Sequence, residues 1–343
     1  MTHNIPVNQN LVDMEYAVRG PIPLRAMDLQ KEGRTIYACN IGNPQALEQK
    51  PISFYRQVIA LLESSNIERE RNLTKLSKNN SDLFKESGIR IISEDIIDYS
   101  EEFLHNCRTG MGAYTESKGP AFIREEIAAF IDSRDKNDIA SDPDSIFLTD
   151  GASDAVRRIL ELLITGSNDG IMIPIPQYPL YSATIKRCGG VQVGYYPDEE
   201  KDWALTPDIL EESYQKATSE GINVKSIVII NPGNPTGSIL DKNSIDGIVN
   251  FVEKYDLSII ADEVYQENLY GGLFISMSRA IGSRDIPLFS LHSISKGFSG
   301  ECGHRGGYME LRNMPIMNNT KVNLSELILK QASVSLCSNT VGQ

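Results

Sequence analysis

From Gly112 onward, short apolar runs alternate with segments whose apolar residues recur at helical spacing. Ile146-Phe147-Leu148, Ile171-Met172-Ile173, Ile227-Val228-Ile229-Ile230, Leu257-Ser258-Ile259-Ile260-Ala261, Leu288–Leu291 and Gly306–Leu311 predict strands. Pro120, placed as proline is in a first turn, precedes Ile123, Ile127, Phe130 and Ile131 and predicts a helix. A second helix is predicted from about Asp154 to Ile164, and Ile245, Ile248, Val249 and Val252 mark one face of a third. Strands apolar on both faces, alternating with amphipathic helices, predict an α/β fold with a mostly parallel central sheet and helices on both faces. Ligands in such sheets lie at the carboxyl ends of strands, so those ends are where chemistry is sought.

Before Gly112 the pattern is weaker. Residues 1 to about 50 are rich in Asn, Gln and Pro and predict an arm with little regular structure. Residues 51–91 carry one apolar helical stretch (Phe54, Val58, Leu61, Leu62), then a polar segment around Lys75–Asp82 in which Ser77–Ser81 predicts a loop. The expected division is an N-terminal arm with a helical part of a small domain, residues 1–91, and a large domain, residues 92–343. No internal repeat is visible.

Composition changes this picture little. The chain has 343 residues, room for two domains or one large α/β domain. A formal net charge of -13 argues against a nucleic-acid partner and against an anionic membrane surface. The five cysteines, Cys39, Cys107, Cys188, Cys302 and Cys337, are odd in number and scattered, so neither a disulfide framework nor a zinc site is expected. The N-terminus shows no apolar signal core and the chain no transmembrane-length apolar run. The expectation is a reducing compartment, the cytoplasm first and the mitochondrion as alternative.

Candidate chemistry gathers at the strand ends. After the Leu288–Leu291 run, Ser293-Ile294-Ser295-Lys296-Gly297 offers an amine, and Gly303-His304-Arg305-Gly306-Gly307 follows with a guanidinium. The amine can form an imine with a carbonyl, and the hydroxyls and guanidinium can hold a phosphate; pyridoxal phosphate is an aldehyde that carries one. A lone Ser-Lys-Gly would be read as a surface lysine after a core strand, so the neighbours decide. Thr149-Asp150-Gly151-Ala152-Ser153 is a small-residue turn into a helix N-terminus, fit for an anion or simply a capped helix. Asn231-Pro232-Gly233-Asn234-Pro235-Thr236-Gly237 is a rigid loop able to aim an asparagine amide. In Asp262-Glu263-Val264-Tyr265 a carboxylate ends a buried strand and calls for a cation such as a pyridinium nitrogen, or for a structural salt bridge. Pro174–Tyr181 presents Tyr178, a stacking aromatic or a core residue.

Together these residues resemble the fold-type I pyridoxal-phosphate enzymes of the aspartate aminotransferase superfamily, and more closely the alanine aminotransferases. The resemblance is carried by Asn40-Ile41-Gly42-Asn43-Pro44-Gln45, Gly112-Ala113-Tyr114-Thr115, Asn231–Gly237, Asp262–Tyr265, His292–Gly297 and, most specifically, Gly300-Glu301-Cys302-Gly303-His304-Arg305-Gly306-Gly307-Tyr308. It covers the chain from about Ala17. It implies that Lys296 carries the cofactor as a Schiff base and moves the substrate proton, and that Asp262 pairs with the ring nitrogen. Asn234 and Tyr265 would hold the ring oxygen, and Tyr178 would stack on the ring. Ala152, Ser153, Ser293 and Arg305 would bind the phosphate, with Tyr114 arriving from the neighbouring subunit of a homodimer. Gly42 would lie near the substrate. The implied reaction converts L-alanine and 2-oxoglutarate to pyruvate and L-glutamate. His292 and His304 are expected to be packing residues with no catalytic role.

One departure from the family pattern concerns the substrate. Relatives carry the arginine that clamps the substrate carboxylate in a C-terminal small domain, and no arginine follows Arg312 here. The expectation is a truncated chain with a nearly complete cofactor site and an incomplete substrate site. The competing readings are a C–S or related lyase on the same fold, and a truncated cofactor-binding isoform without turnover.

Overall fold

The computed structural model describes residues 6–16, 20–37, 42–136, 139–316 and 321–343. Its centre is a seven-stranded sheet of β1 (Ile146–Thr149), β2 (Asp169–Pro174), β3 (Val191–Tyr195), β4 (Asn223–Ile230), β5 (Ser258–Asp262), β6 (Leu288–Ser293) and β7 (Gly307–Arg312). The strand order is β1-β7-β6-β5-β4-β2-β3. All pairings are parallel except those of β7, which runs antiparallel to both β6 and β1. The pattern missed β3: only Val193 and Tyr195 are buried there, so its sequence carries no continuous apolar run.

In chain order the helices are α1 (Gln9–Val12), α2 (Pro21–Lys31), α3 (Ser53–Ser64), α4 (Ile67–Asn79), α5 (Ser81–Ser87), α6 (Glu94–Asn106) and α7 (Ala121–Asp135). There follow α8 (Ala152–Leu163), α9 (Leu180–Cys188), α10 (Pro207–Ser219), α11 (Lys242–Lys254), α12 (Met277–Ile281) and α13 (Leu324–Val334). Each face of the sheet has its own core. On one, Ile227, Ile229 and Ile259 pack against Ile245, Ile248, Val249 and Val252 of α11. On the other, Phe147, Ile171 and Ile260 pack against Val156, Ile159 and Leu160 of α8 and Ile328 of α13. Each such side chain contributes about 1.5–3 kcal/mol by leaving water, which fixes strands and helices in one register.

Three expectations for the N-terminal third need correction. The arm contains the eleven-residue helix α2, which opens with Pro21 at its first position. The polar stretch through Ser77–Ser81 is helical apart from the break at Asn80. Neither helix announced itself by periodicity: α2 has no buried residue and α4 buries only Ile67 and Thr74. The helical unit also reaches beyond residue 91, because Ile96 and Ile97 of α6 complete a core with Val58, Leu61 and Leu62 of α3. No helix among the described residues is long and apolar enough to cross a membrane.

Candidate active site

Because β7 runs opposite to its neighbours, its start lies at the same end of the sheet as the carboxyl ends of the other strands. Lys296, after β6, and Arg305, before β7, therefore stand on one rim. The loops after β1, β2, β4 and β5 arrive there too, and together they enclose a cavity of about 470 Å³. Its lining includes Gly42, Ala152, Ser153, Tyr178, Asn234, Asp262, Tyr265, Ser293, Lys296 and Arg305. Ten candidate residues drawn from six separate segments thus share one cavity. Tyr114 does not: it stands 76% exposed away from the lining. Asn40 and Ile41 of the N-terminal motif lie outside the described residues.

Lys296 donates from Nζ to the carbonyl of Gly42 and lies 5.8 Å from the centre of the Tyr265 ring. A Cβ on residue 42 would come within 3.1 Å of Nζ, so a glycine there leaves the amine room. The Tyr265 hydroxyl accepts from Asn234 Nδ2 at 3.1 Å, and burial pushes its pKa up to about 12. Asp262, at the tip of β5, is buried; Oδ2 accepts from the Tyr181 hydroxyl at 2.7 Å, and the Val264 N–H approaches Oδ1 at 3.4 Å. Burial pushes Asp262 above the usual carboxylate range, against the pull of Tyr181, Val264 and the Lys296 charge. The Tyr178 hydroxyl meets that of Tyr16 at 3.0 Å.

On the anion side, Arg305 Nη2 donates to Ser153 Oγ at 2.9 Å and to the Asp150 carbonyl at 3.0 Å. Arg305 has φ 55°, a left-handed backbone that turns its side chain back over the start of α8. Gly151 has φ 77°, and a Cβ there would lie 2.7 Å from Arg305 Nη2. The turn thus needs glycine both for its conformation and for the close approach of the guanidinium. The α8 N-terminus brings the positive end of its dipole to the same point, an arrangement that binds phosphate-like anions.

Behind the cavity lies a buried polar layer. Arg134 donates to both carboxylate oxygens of Asp135 at 2.6 and 2.7 Å, to Glu263 at 3.5 Å and to Gln266 Oε1. With its Oε1 so engaged, Gln266 turns its amide nitrogen to His292 Nε2 at 3.1 Å. His292 therefore carries its proton on Nδ1, which donates to the Glu263 carbonyl at 3.2 Å. Both ring nitrogens are occupied in the neutral form, as a packing histidine requires.

Burial pushes Glu263 up to about 7, although Arg134 and the Met277 N–H oppose it. Burial also holds His292 down to about 4. Glu263, raised, contributes stability that is full below its unfolded value of 4.5 and is lost as pH climbs to about 7. His292, lowered, contributes stability that is present above 6.5 and is lost as pH falls towards 4. Between these limits the two cancel, because folding moves a proton from His292 to Glu263. We expect Glu263→Gln to leave a melting temperature that rises with pH from 4 to 6.5 relative to wild type, and His292→Asn to leave one that falls over about 4.5–7. Each span amounts to roughly 3 kcal/mol at most. Melting curves across this range decide it: parallel profiles for wild type and both variants would refute the assignment.

Some residues of the site were not singled out in the sequence. Tyr181 is fully buried and grips Asp262, and Tyr16 caps Tyr178. A tyrosine at the second position of a helix that follows a proline-rich strand end was a usable signal for Tyr181. Tyr16, in a polar arm, gave none.

The family model described as aminotransferase class I and II matches residues 71–340. The chain is 44% identical over 356 residues to the probable mitochondrial alanine aminotransferase of Dictyostelium discoideum, an alignment covering 98% of this chain and 62% of that protein. It is 42% identical over 345 residues to glutamate–glyoxylate aminotransferase 1 of Arabidopsis thaliana, covering 98% and 67%. The chain thus spans roughly three fifths to two thirds of the length of these curated relatives. Among solved structures, the alanine aminotransferase of Pyrococcus furiosus superposes with a TM-score of 0.73 at 25% identity, covering 98% of this chain and 70% of that one.

Proposed function

We propose, from the premise that the chain belongs to the class I and II aminotransferase family, that its cavity binds pyridoxal phosphate and transfers the amino group of L-alanine to 2-oxoglutarate. The observation that carries this reading is the meeting, in one cavity, of the Lys296 amine, the buried Asp262 acid, the Asn234–Tyr265 pair and the Arg305–Ser153 cradle.

The residues fit the group. Asp262 is a buried carboxyl raised by desolvation, and a protonated ring nitrogen would be the cation its position calls for. Asn234 and Tyr265 offer an amide and a phenol, already paired, to a ring oxygen. Tyr178 would lie against the ring, and Ala152, Ser153, Ser293 and Arg305 would hold the phosphate. When bound, pyridoxal phosphate supplies an aldehyde that takes up the amino group and a ring that accepts the electrons of the α-carbon.

The rest of the work belongs to the chain. Lys296 Nζ would supply the amine that anchors the aldehyde, and would accept the proton of the substrate α-carbon. The Gly42 carbonyl, within hydrogen-bonding reach of Nζ, orients it. Asp262, kept in place by Tyr181, would face the ring nitrogen, whose positive charge would offset the burial that raises the carboxyl. Arg305 and the α8 N-terminus fix the phosphate end, so that the reacting end stays within reach of Nζ.

A second copy of the chain is the proposed partner, with Tyr114 presented to the neighbouring site; its 76% exposure suits that role. Glyoxylate is the next acceptor to assay, since one relative is named for it. A reducing compartment, cytoplasmic or mitochondrial, is the proposed location; the scattered cysteines and a relative named as mitochondrial support it.

The test is spectroscopic. Adding pyridoxal phosphate to the purified chain should give a new visible absorption band. L-alanine should bleach it, and 2-oxoglutarate should restore it. A folded chain that gives no band at saturating pyridoxal phosphate would remove the reading altogether.

A further inference from the structure

The Gly300–Tyr308 stretch carried the resemblance most specifically, yet the cofactor reading gives Gly300 and Glu301 nothing to do. In the structure they receive another segment of the chain. Arg56, on α3, grips Glu301 with two parallel bonds, Nε to Oε1 at 3.1 Å and Nη2 to Oε2 at 2.9 Å. The same Nη2 donates to Gln45 Oε1 at 3.1 Å, and Gln45 Nε2 donates to the Gly300 carbonyl at 3.1 Å. Gln49 Nε2 donates to the Phe298 carbonyl at 2.8 Å. A Cβ on residue 300 would lie 2.9 Å from Gln49 Nε2, so glycine is what lets the segment seat.

The Glu301 side chain is 4% exposed, whereas that of Arg56 is 43% exposed. Burial pushes the Glu301 carboxyl up, but Arg56, Gln45 and His304 outweigh it and the net direction is down. The glutamate is held ionised inside the lysine loop, and Arg56 reaches in from outside to meet it. Such a two-pronged charge-assisted pair fixes direction as well as distance.

The seated segment begins at Gly42, whose carbonyl accepts from Lys296 Nζ. Asn43 follows; it lines the cavity, and its side chain caps the turn Pro44–Leu47 by accepting from the Ala46 N–H. Gln45, Gln49 and Arg56 are thus the far side of a latch whose near side places a carbonyl beside the amine.

We infer that Arg56 and Glu301 are positioning residues: their ion pair, with Gln45 and Gln49, latches residues 42–56 onto the Phe298–Glu301 loop and sets where the Gly42 carbonyl stands beside Lys296. In its consequence for substrate this rests on the proposed transamination; in its consequence for the chain alone it does not. A displaced carbonyl misplaces the amine and the wall that meets the amino acid, while the phosphate cradle and the Asp262 contacts are untouched.

The experiment uses Glu301→Gln, which keeps the volume and removes the charge, Arg56→Met, and the double variant. In the chain without additives, amide hydrogen exchange at Leu47, Glu48 and Gln49 should rise about tenfold in each single variant and no further in the double. With pyridoxal phosphate, the half-saturating concentration of L-alanine should rise about tenfold, and the affinity for pyridoxal phosphate should stay within about twofold. The charge-swapped pair Arg56→Glu with Glu301→Arg should recover part of both effects. Unchanged exchange in both singles, or effects that add in the double, would overturn the latch. So would a fall in pyridoxal phosphate affinity matching that for alanine, since that marks general loosening. If wild type shows no band and no transfer, the proposed function fails, and the exchange measurement still decides the latch.

Discussion

Replacing Lys296 by alanine should lower transfer from L-alanine to 2-oxoglutarate by at least about a thousandfold and abolish the visible band that pyridoxal phosphate gives with wild type. The size follows from two roles that one atom fills. In the proposed reaction Nζ would be both the amine that holds the carbonyl group in place and the base that takes the α-proton; acid–base action alone is worth about 10²–10⁴-fold. Two described groups that line the same cavity are already engaged. The Tyr265 hydroxyl is engaged by Asn234 and raised to about 12, and Asp262 is gripped by Tyr181. Lys296→Arg is the informative companion: it keeps a positive charge near the Gly42 carbonyl but supplies no nucleophilic amine, so it should fail almost as completely. Absorption spectra and steady-state rates measure both outcomes. A Lys296→Ala protein that keeps the band would show that a different amine is used.

Arg134→Met should destabilise the chain by about 3–5 kcal/mol at neutral pH, read by urea unfolding. Arg134 is largely buried and is shared by Asp135, Glu263 and Gln266. Removing it strands Asp135, only 2% exposed, without the cation that both its oxygens contact. It also frees the Glu263–Gln266 turn that follows Asp262. Adding Asp135→Asn to Arg134→Met should return much of the loss, because the penalty lies in the uncompensated Asp135 charge; Glu263, raised to about 7 even with Arg134 beside it, takes up a proton instead. A loss below about 1 kcal/mol would mean that water reaches these carboxylates and that the layer behind the cavity is not dry.

The strands of the large sheet were legible because a strand buried on both faces has to be written in Ile, Val, Leu and Phe, as Ile227–Ile230 is. The edge strand β3 was not, since three of its five residues are not buried and Gly194 interrupts it. The N-terminal helices were hidden for a related reason: α2 buries nothing, so its sequence carries no periodic stripe to read. The candidate site was legible through its loops. Gly151, Pro232 and Pro235 mark places where the backbone must turn sharply at a strand end, and a polar residue beside such a turn is aimed rather than scattered. What stayed hidden were the partners of those residues. Tyr181 with Asp262, and Arg56 with Glu301, are joined only by the tertiary fold, and nothing in either local stretch names the other.

The reversed direction of β7 has a consequence for how this chain can vary. A parallel seventh strand would have needed a crossover helix after Lys296, and Arg305 would have entered the rim from a separate excursion of the chain. Instead, residues 294–306 form one return between β6 and β7, and its two ends carry the amine and the guanidinium. Any insertion or deletion in that return alters the span between them. The loops at the opposite rim of the sheet, such as the one preceding β5 at Tyr255–Leu257, have no such ruler to keep. Length variation among descendants of this sequence should therefore concentrate on one rim, and residues 294–306 should remain the fixed gauge of the other.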